Sequence, residues 1–271
     1  MKLTKLGTAL MFSLLALTMA GCDAMEDPVA PDSDVAAERG DDSRPGADRN
    51  DDGERPRDDG DDGQATVYVV HGINGTDLGS GIPESLPVDV AVDGTCVLED
   101  FTFRSIEGPL SLDPGEYDLA VYLANGEPCS GDPAVSAEDV PLAAGDNVSV
   151  TAHVNTDGEP TLTPFVNDVS ARPGKTRISA RHAANFGAVD LVLDGAKPFT
   201  GLENGGQVGA FLRPGRHAVA LTPTGEDTRV FDLTSVFRPF TLYAAYAVGT
   251  PSNGTFEVLL QTIEVGPRAN R

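Results

Sequence analysis

Positive charge is scarce in this chain, which has 19 lysines and arginines against 42 aspartates and glutamates and a formal net charge of −23. Residues 65–170 hold 18 acids and one base, Arg104, whereas residues 171–271 hold 8 acids and 11 bases. No dense basic stripe interrupts this pattern, so the sequence predicts that nucleic acid is not a partner.

The chain also lacks the short motifs that mark common enzymes. It has no G-x-S-x-G nucleophile elbow, no glycine-rich phosphate loop and no H-E-x-x-H zinc motif. No stretch shows a sustained helical period with caps, and a parallel α/β fold needs crossover helices between its strands. The sequence therefore predicts no catalytic residue, no metal centre and no enzyme.

Cysteine is nearly absent, with three in the whole chain. Cys22 belongs to the N-terminal segment described next, which leaves Cys96 and Cys129. Two such cysteines in an exported chain predict one disulfide. Free thiols or a metal site are the alternatives, although no CxxC or CxxH spacing supports zinc.

The N-terminal segment indicates where the protein is located. Lys2 and Lys5 precede an apolar run from Leu6 to Met19, and small residues lead from there to Cys22. This is the pattern of a secretory signal, and as a helix the run spans about 21 Å, short of a bilayer core of about 30 Å. Ala-Gly-Cys resembles a bacterial lipobox, with Met19 where that family of signals prefers leucine. The resemblance implies cleavage before Cys22 and a diacylglycerol on its thiol; an ordinary signal peptide or an uncleaved anchor is the alternative.

The segment after the signal has a composition that cannot form a core. Residues 23–64 hold 16 acids, 5 arginines and no aromatic residue. Such a segment cannot offset the entropy of ordering. We therefore predict a lipoprotein signal peptide over residues 1–21 and a disordered acidic tether over residues 22–64. Its prolines and repelling charges would extend it and hold a folded head away from the membrane surface.

One stretch of the tether matches the ligand spacing of a calcium loop, at Asp48, Asn50, Asp52 and Asp59. Oxygen ligands at alternate positions are what Ca²⁺ needs, and calcium is the one cofactor that the sequence suggests. Pro56 lies inside the loop, however, and no amphipathic helix flanks it. A solvated acidic linker without a cofactor is therefore the favoured interpretation.

The rest of the chain contains an internal duplication, which predicts one domain over residues 65–170 and another over residues 171–271. Matching runs recur in the same order at nearly the same spacing, and they pair Val70-His71 with Arg181-His182, Val88–Gly94 with Val189–Gly195, and Leu112–Gly115 with Leu212–Gly215. The first copy carries ten extra residues between its histidine and its Val-Asp run.

Each copy is predicted to be all-β. Short runs such as TVYVVH, VDVAVD and TRISARH alternate apolar and polar residues, and Asp-Gly, Pro-Gly and Asn-Gly turns separate them. Copies of about 100 residues with about seven strands predict two tandem immunoglobulin-like or transthyretin-like β-sandwich domains. In the Leu-x-Pro-Gly turn, proline presets φ and glycine is expected to adopt a conformation that would strain a side chain.

The second copy carries His-Ala, then Val-Asp-Leu-x-Leu-Asp-Gly from Val189, Leu-x-Pro-Gly from Leu212 and Tyr-Ala-Ala-Tyr-Ala-Val-Gly from Tyr243. These runs resemble a bacterial domain family of unknown function that commonly occurs in tandem in lipoproteins and surface proteins. The resemblance covers roughly residues 66–265 and is clearest in the second copy. It implies a β-sandwich and a cell-envelope location, and it implies no activity.

Two of the four histidines, His71 and His182, occupy equivalent positions in the duplication. We expect a structural role for each, at the end of a strand and bonded to backbone. Asp89 and Asp190 lie inside apolar strands, where a buried carboxylate needs a partner. They could cap a turn or bind the histidines, and we predict the internal polar pairs His71 with Asp89 and His182 with Asp190.

The charge difference between the copies raises a docking hypothesis. Arginines of the near-neutral second copy would face acids of the first. The residues considered are Arg213, Arg216, Arg229 and Arg238 on one side and Glu116, Asp118, Glu138 and Asp139 on the other.

The sequence thus favours a lipid-anchored protein of the bacterial cell envelope that acts as a non-enzymatic binding, adhesion or structural module. It would bind the membrane through its lipid and recognise a protein or glycan through exposed loops such as Ile73 to Pro87. The outer membrane or cell surface is favoured, but Asp23 resembles an inner-membrane retention signal of enteric bacteria. A metal-dependent or hydrolytic envelope enzyme, which would need His, Asp and Ser side chains converging in one pocket, is the alternative. A sensor or assembly subunit is a third interpretation.

Overall fold

The computed structural model describes residues 63–266, and these form an almost entirely β-stranded structure, which confirms the predicted all-β fold class. The signal peptide, Cys22, nearly all of the tether and the calcium pattern at residues 48–59 lie outside the described residues. Within the described range, no helix is both long and apolar enough to cross a membrane.

Eight strands build the first sandwich. They are β1 (Ala65–His71), β2 (Val88–Val92), β3 (Thr95–Phe101), β4 (Ile106–Leu112), β5 (Gly115–Leu123), β6 (Val135–Leu142), β7 (Asn147–Val154) and β8 (Pro160–Val166). One sheet has the order β4-β1-β7-β8 and the other the order β3-β2-β5-β6. All neighbours are antiparallel except β1 and β7, which are parallel. The order differs from that of an immunoglobulin constant domain, in which the first strand shares a sheet with the second.

Eight further strands build the second sandwich. They are β9 (Thr176–Ala184), β10 (Val189–Leu193), β11 (Ala196–Leu202), β12 (Gln207–Leu212), β13 (Gly215–Pro223), β14 (Phe231–Phe237), β15 (Thr241–Gly249) and β16 (Glu257–Glu264). Its sheets have the orders β12-β9-β15-β16 and β11-β10-β13-β14, and β9 runs parallel to β15. The duplicated sequence therefore folds into two copies of one topology.

Short turns join the strands at the predicted positions. Asp93 and Gly94 have φ of 48° and 69°, and Asp194 and Gly195 have φ of 50° and 84°. Two consecutive positive φ values define the type I′ turn that joins the tightest hairpins, and Asp-Gly favours it. In the Leu-x-Pro-Gly turns, only Gly215 has a positive φ, 141°, so the expected requirement for glycine does not extend to the first copy.

The two sandwiches dock face to face. We call the sheets β4-β1-β7-β8 and β12-β9-β15-β16 the inner sheets, because their faces meet. Val70 and Phe165 of the first inner sheet join Ala183, Tyr246 and Val248 of the second in one buried cluster. Strands β7 and β9 are buried along almost their whole length, as expected for strands that are covered on both faces. Residues 63–266 thus form a stack of four sheets.

The predicted docking surface is wrong. All eight charged residues considered for it are exposed, and they lie on the outer sheets or on the turns next to them. The inner faces carry the apolar side chains that gain most from leaving water, at about 25 cal/mol per Å². Burial of apolar surface therefore decides how the copies dock, and the excess of acid in the first copy stays in solvent.

The ten-residue insertion of the first copy contributes to this docking. It contains a 3₁₀ turn at Gly75–Asp77, and the Asp77 carboxylate accepts hydrogen bonds from Thr255 Oγ1 at 2.8 and 2.9 Å and from Asn253 Nδ2 at 3.0 Å. Just before it, a Cβ on Gly72 would lie 2.9 Å from Val248 Cγ1. The insertion therefore contacts the β15–β16 loop of the second sandwich.

The predicted recognition loop from Ile73 to Pro87 is thus largely engaged within the molecule. Ile73, Asn74 and Leu86 are buried, and exposure is concentrated at the tip, at residues 80–85. The tip is therefore the part of the loop most accessible to an external partner, together with Thr76.

Candidate functional site

His71 and His182 close the same loop in the two copies. His71 Nε2 lies 2.9 Å from Leu86 O, and its Nδ1 accepts a hydrogen bond from the backbone N–H of Ile73 at 3.3 Å. His182 Nε2 lies 2.9 Å from Gly187 O, and its Nδ1 again accepts from the backbone N–H two residues on. Leu86 is 15 residues after His71, whereas Gly187 is 5 residues after His182. The difference is the insertion, so the histidine fixes the same connection whatever its length.

Burial determines the protonation of these two histidines. Both side chains are almost wholly buried, and this desolvation lowers the pKa of each below its ordinary value. With Nε2 donating to a carbonyl and Nδ1 accepting from an N–H, each ring is the neutral tautomer. Each is bonded to backbone at or near the end of a strand, and among residues 63–266 neither forms a hydrogen bond with a carboxylate.

The predicted pairing of these histidines with Asp89 and Asp190 is wrong. Asp89 Oδ1 accepts from the backbone N–H of Asp100 at 3.0 Å, and Asp190 Oδ1 accepts from that of Gly201 at 3.1 Å. Both donors sit in β-bulges with φ of 51° and 70°. A bulge removes one N–H from the sheet ladder, and the buried carboxylate accepts from that N–H instead of from the imidazole.

The disulfide between Cys96 and Cys129 is present, as predicted. Its Cα atoms are 5.7 Å apart, within the usual range. Cys96 lies at the start of β3 and Cys129 in the β5–β6 loop, where the Cys129 N–H donates to Asp89 Oδ2 at 3.0 Å. The bond therefore fastens a loop to the outer sheet of the first sandwich.

A surface histidine closes the Leu-x-Pro-Gly turn of the second copy. His217 Nε2 lies 2.7 Å from Arg213 O, and its Nδ1 lies 2.6 Å from Asp194 Oδ2. The hydrogen bond to this carboxylate raises the pKa of His217 and lowers that of Asp194. Tyr117 has the equivalent place in the first copy and donates to Asp113 O at 2.7 Å, so both side chains hold a turn.

A buried polar cluster, centred on Arg181, lies between the inner sheets and was not among the predicted sites. The guanidinium donates to the Tyr246 hydroxyl and to Asn167 Oδ1, and its Cζ lies 4.7 Å from the centre of the Tyr246 ring. The Tyr246 hydroxyl donates to Gln261 Oε1 at 2.6 Å, and Ser149 Oγ donates to the same oxygen at 3.0 Å. Four of these residues come from β7, β9, β15 and β16, and Asn167 directly follows β8, so the cluster joins the two sandwiches.

The charge of Arg181 has no ionic partner in the described part of the chain. The residue is 1% exposed, none of the salt bridges among residues 63–266 includes it, and its Nε has no hydrogen-bond partner there. Desolvation lowers the pKa of the guanidinium below its ordinary value, although an arginine keeps its proton in proteins. Neutral oxygens and the faces of Phe165 and Tyr246 therefore carry the whole stabilisation of a buried cation.

One signal in the sequence marks this cluster. The duplication aligns Val70 with Arg181 directly before the equivalent histidines. A charged residue at a position that is apolar in the sister copy indicates a different environment. The partners on the first sandwich, Ser149 and Asn167, carry no comparable signal, because polar residues are ordinary on a strand face next to solvent.

The cluster gives a testable prediction. Asn167→Ala is expected to lower the free energy of unfolding by about 2 kcal/mol, because it leaves a buried charged donor without its acceptor. Arg181→Met removes the cation together with its need for partners and is expected to cost less. Denaturant unfolding of both variants measures the difference. Equal stability of the wild type and Asn167→Ala would mean that the cluster does not hold the interface.

An open polar cleft lies at one end of the docked sandwiches, with a volume of about 450 Å³. Its lining residues come from both copies and are Asn155, Thr156, Phe186, Gly187, Ala188, Glu203 and Asn204. Asn204 Nδ2 joins the copies here by donating to Val154 O at 3.1 Å and to Ala184 O at 2.7 Å. Over residues 63–266, no group of three or more His, Cys, Asp or Glu is arranged to hold a metal ion.

A family model described as "Domain of unknown function (DUF4397)" matches residues 65–192. The match covers the first sandwich and continues through β9 into β10, although the motifs quoted above for the resemblance are clearest in the second copy. It supports the resemblance to a domain of unknown function and assigns no activity. A search of curated proteins found no match.

Proposed function

We propose that this chain is a lipid-anchored protein of the bacterial cell envelope, acting as a non-enzymatic binding, adhesion or structural module. The observation that carries the proposal is that the two histidines at equivalent positions are hydrogen-bonded to backbone. His71 and His182 are the natural candidates for acid–base chemistry, and both are buried, neutral and bonded to backbone. The imidazoles that could transfer protons are instead hydrogen-bonded to the backbone of the loops that follow their strands.

The docking of the copies also supports a structural or binding role. The inner sheets share one apolar cluster and the polar cluster around Arg181, so the two sandwiches form a single body. Such a body can present loops and strand edges at fixed positions, as binding scaffolds do. The partner in this proposal is a protein or glycan of the envelope, and no cofactor is required.

The N-terminal sequence supports the location. Met19-Ala20-Gly21-Cys22 ends an apolar run of signal length, and the acidic segment that follows would be repelled by anionic headgroups. We propose the outer membrane or the cell surface, with the lipid on Cys22 as the membrane contact.

Cys22→Ala tests the anchor. The variant is expected to leave the membrane fraction and to lose labelling by a radioactive or clickable fatty acid, because the thiol that carries the lipid is gone. Met19→Leu is the matched control, since it changes the same signal towards the preferred residue and is expected to keep both properties. If Cys22→Ala partitions with detergent as the wild type does, the lipid anchor is wrong. Separation of inner and outer membranes of the wild type tests the location.

A further inference from the structure

The second sandwich leaves two neighbouring strand edges uncovered. Strands β14 and β16 are the last strands of their sheets, and each is paired on one side within the described residues. Their pairing with β13 and β15 continues without a register shift, and neither strand contains proline. Strands of this kind present a regular row of free N–H and C=O groups, to which another strand can pair.

The first sandwich supplies an internal comparison, because its equivalent edges are protected. Strand β6 contains Pro141, the acids Glu138 and Asp139, and a register shift against β5. Strand β8 contains Pro160 and Pro164. Proline, charge and bulges are the devices by which proteins prevent edge-to-edge pairing. The same fold therefore carries edges with proline in one copy and edges without it in the other, where the only charges are Asp232 on β14 and Glu257 and Glu264 at the two ends of β16.

The edge of the second sandwich is also apolar. Leu233 on β14 and Leu260 on β16 point towards the space between the sheets, yet they are 39% and 50% exposed. They border an apolar slot that reaches inward to Phe231, Phe237 and Val258. On the opposite face of β14, Val236 is 60% exposed. Apolar side chains gathered along free strand edges indicate a surface that a partner covers.

We propose that a second copy of this chain covers this edge, with β14 pairing antiparallel to β14 of the other copy about a two-fold axis. Charge favours this occupant, because β14 carries Asp232 near one end and Arg238 follows its other end, so antiparallel pairing brings the acid of each copy towards the base of the other. Residues 65–170 carry 18 acids and one base, whereas residues 171–266 carry 8 acids and 9 bases. Two chains of this composition repel each other over the first sandwich and meet with least repulsion at the second. A two-fold contact also makes the edge its own complement.

Disulfide cross-linking of the full chain in native membranes tests the pairing. Cysteine replaces Asp232, Thr234 or Val236, three exposed residues on the outward face of β14. In a two-fold antiparallel pair a residue lies opposite its own copy only at the axis, which we place at Thr234, the middle residue of β14. Residues that lie opposite each other have Cβ atoms about 4.5–5.5 Å apart, close enough to be linked. At least one variant is expected to form a homodimer under oxidising, non-reducing conditions.

Two controls make this result decisive. The parent chain without a new cysteine accounts for any linkage through Cys22, and Ser136→Cys places a cysteine on β6, the protected equivalent of β14. Neither control is expected to give the homodimer. The proposal is overturned if no β14 variant exceeds the Ser136→Cys control. It is equally overturned if the β14 variants link only to other proteins, which would assign the edge to a different partner.

A second measurement removes the contact. Leu260→Pro gives β16 the residue that β8 has at the equivalent position, Pro164, and Leu233→Lys adds a charge beside the slot without changing the backbone. Each is expected to weaken self-association of the detergent-solubilised chain by at least about tenfold in sedimentation equilibrium. Leu123→Lys, at an exposed leucine of the first sandwich, is the control and is expected to leave it unchanged. If self-association is weakened in all three variants, or in none of them, the edge of the second sandwich is not the surface through which the two copies meet.

Discussion

Replacing Cys96 and Cys129 by serine is expected to lower the free energy of unfolding by about 3–4 kcal/mol. The bond joins residues 33 apart in the sequence, and closing a loop of this length restricts the unfolded chain by that amount in the entropic model. Denaturant unfolding of the double variant measures the loss. A change below about 1 kcal/mol would mean that the unfolded chain gains little freedom when the bond is absent.

The loss of stability is also expected to be confined to one part of the structure. The bond lies on the outer sheet of the first sandwich, away from the shared inner faces. We therefore expect hydrogen exchange to speed up first in β3 and in the β5–β6 loop, with a smaller change in the second sandwich. Ala196→Ser, near the equivalent position of the second copy, is the control and is expected to change neither stability nor exchange. Uniform acceleration over both sandwiches would show that the bond supports the whole stack.

Acidification from pH 7 to pH 4 is expected to cost the protein about 3 kcal/mol through His153 alone. This side chain is 0% exposed, and burial lowers its pKa from 6.5 to about 4. Because the folded state binds the proton more weakly than the unfolded state, the stability is complete above pH 6.5. It is lost as the pH falls towards 4, by about 1.4 kcal/mol for each unit of pKa difference.

The measurement is the free energy of unfolding against pH for the wild type and for His153→Val, which carries the residue found at the equivalent position, Val248. The variant is expected to lose part of the acid-induced slope, and a residual slope from His71 and His182 is expected to remain, because their pKa values are also lowered. His217→Asn is the control of opposite sign. The pKa of His217 is raised, so its contribution is present at acid pH and lost as the pH rises. If the free energy of unfolding depends on pH identically in the wild type and in His153→Val, burial of His153 does not contribute to acid destabilisation.

Local signals predicted the parts of the fold that depend on a few neighbouring residues. Asp93-Gly94 and Asp194-Gly195 form the turns that their composition favours, because only small or flexible residues tolerate two positive φ values in succession. The disulfide followed from the cysteine count, because only Cys96 and Cys129 remain once Cys22 is assigned to the predicted signal. Alternating apolar residues predicted the strands, and the duplicated runs predicted that the sandwiches repeat.

The candidate site was less predictable, because its contacts depend on distant parts of the chain. Asp89 and Asp190 do bind a partner, as buried carboxylates must, but the partner is the N–H of a bulge eleven residues on. A bulge arises from how two strands are registered, and the runs of residues do not reveal it. The predicted docking surface was wrong for a related reason. A sequence shows which residues are charged, but it does not show which face of a folded sandwich exposes apolar side chains and is buried by docking.

The sequence by itself determined the all-β class, the duplication, the disulfide and the excess of acid in the first copy, because each follows from composition or from short repeated patterns. Only the tertiary structure decided that the copies meet through β1, β7, β9 and β15, that Arg181 is buried between them, and that no other strand of residues 63–266 covers the edges of β14 and β16. These features depend on which faces come together once the strands have paired. That choice is made by the total apolar area buried, a property of the assembled sheets and not of any one segment.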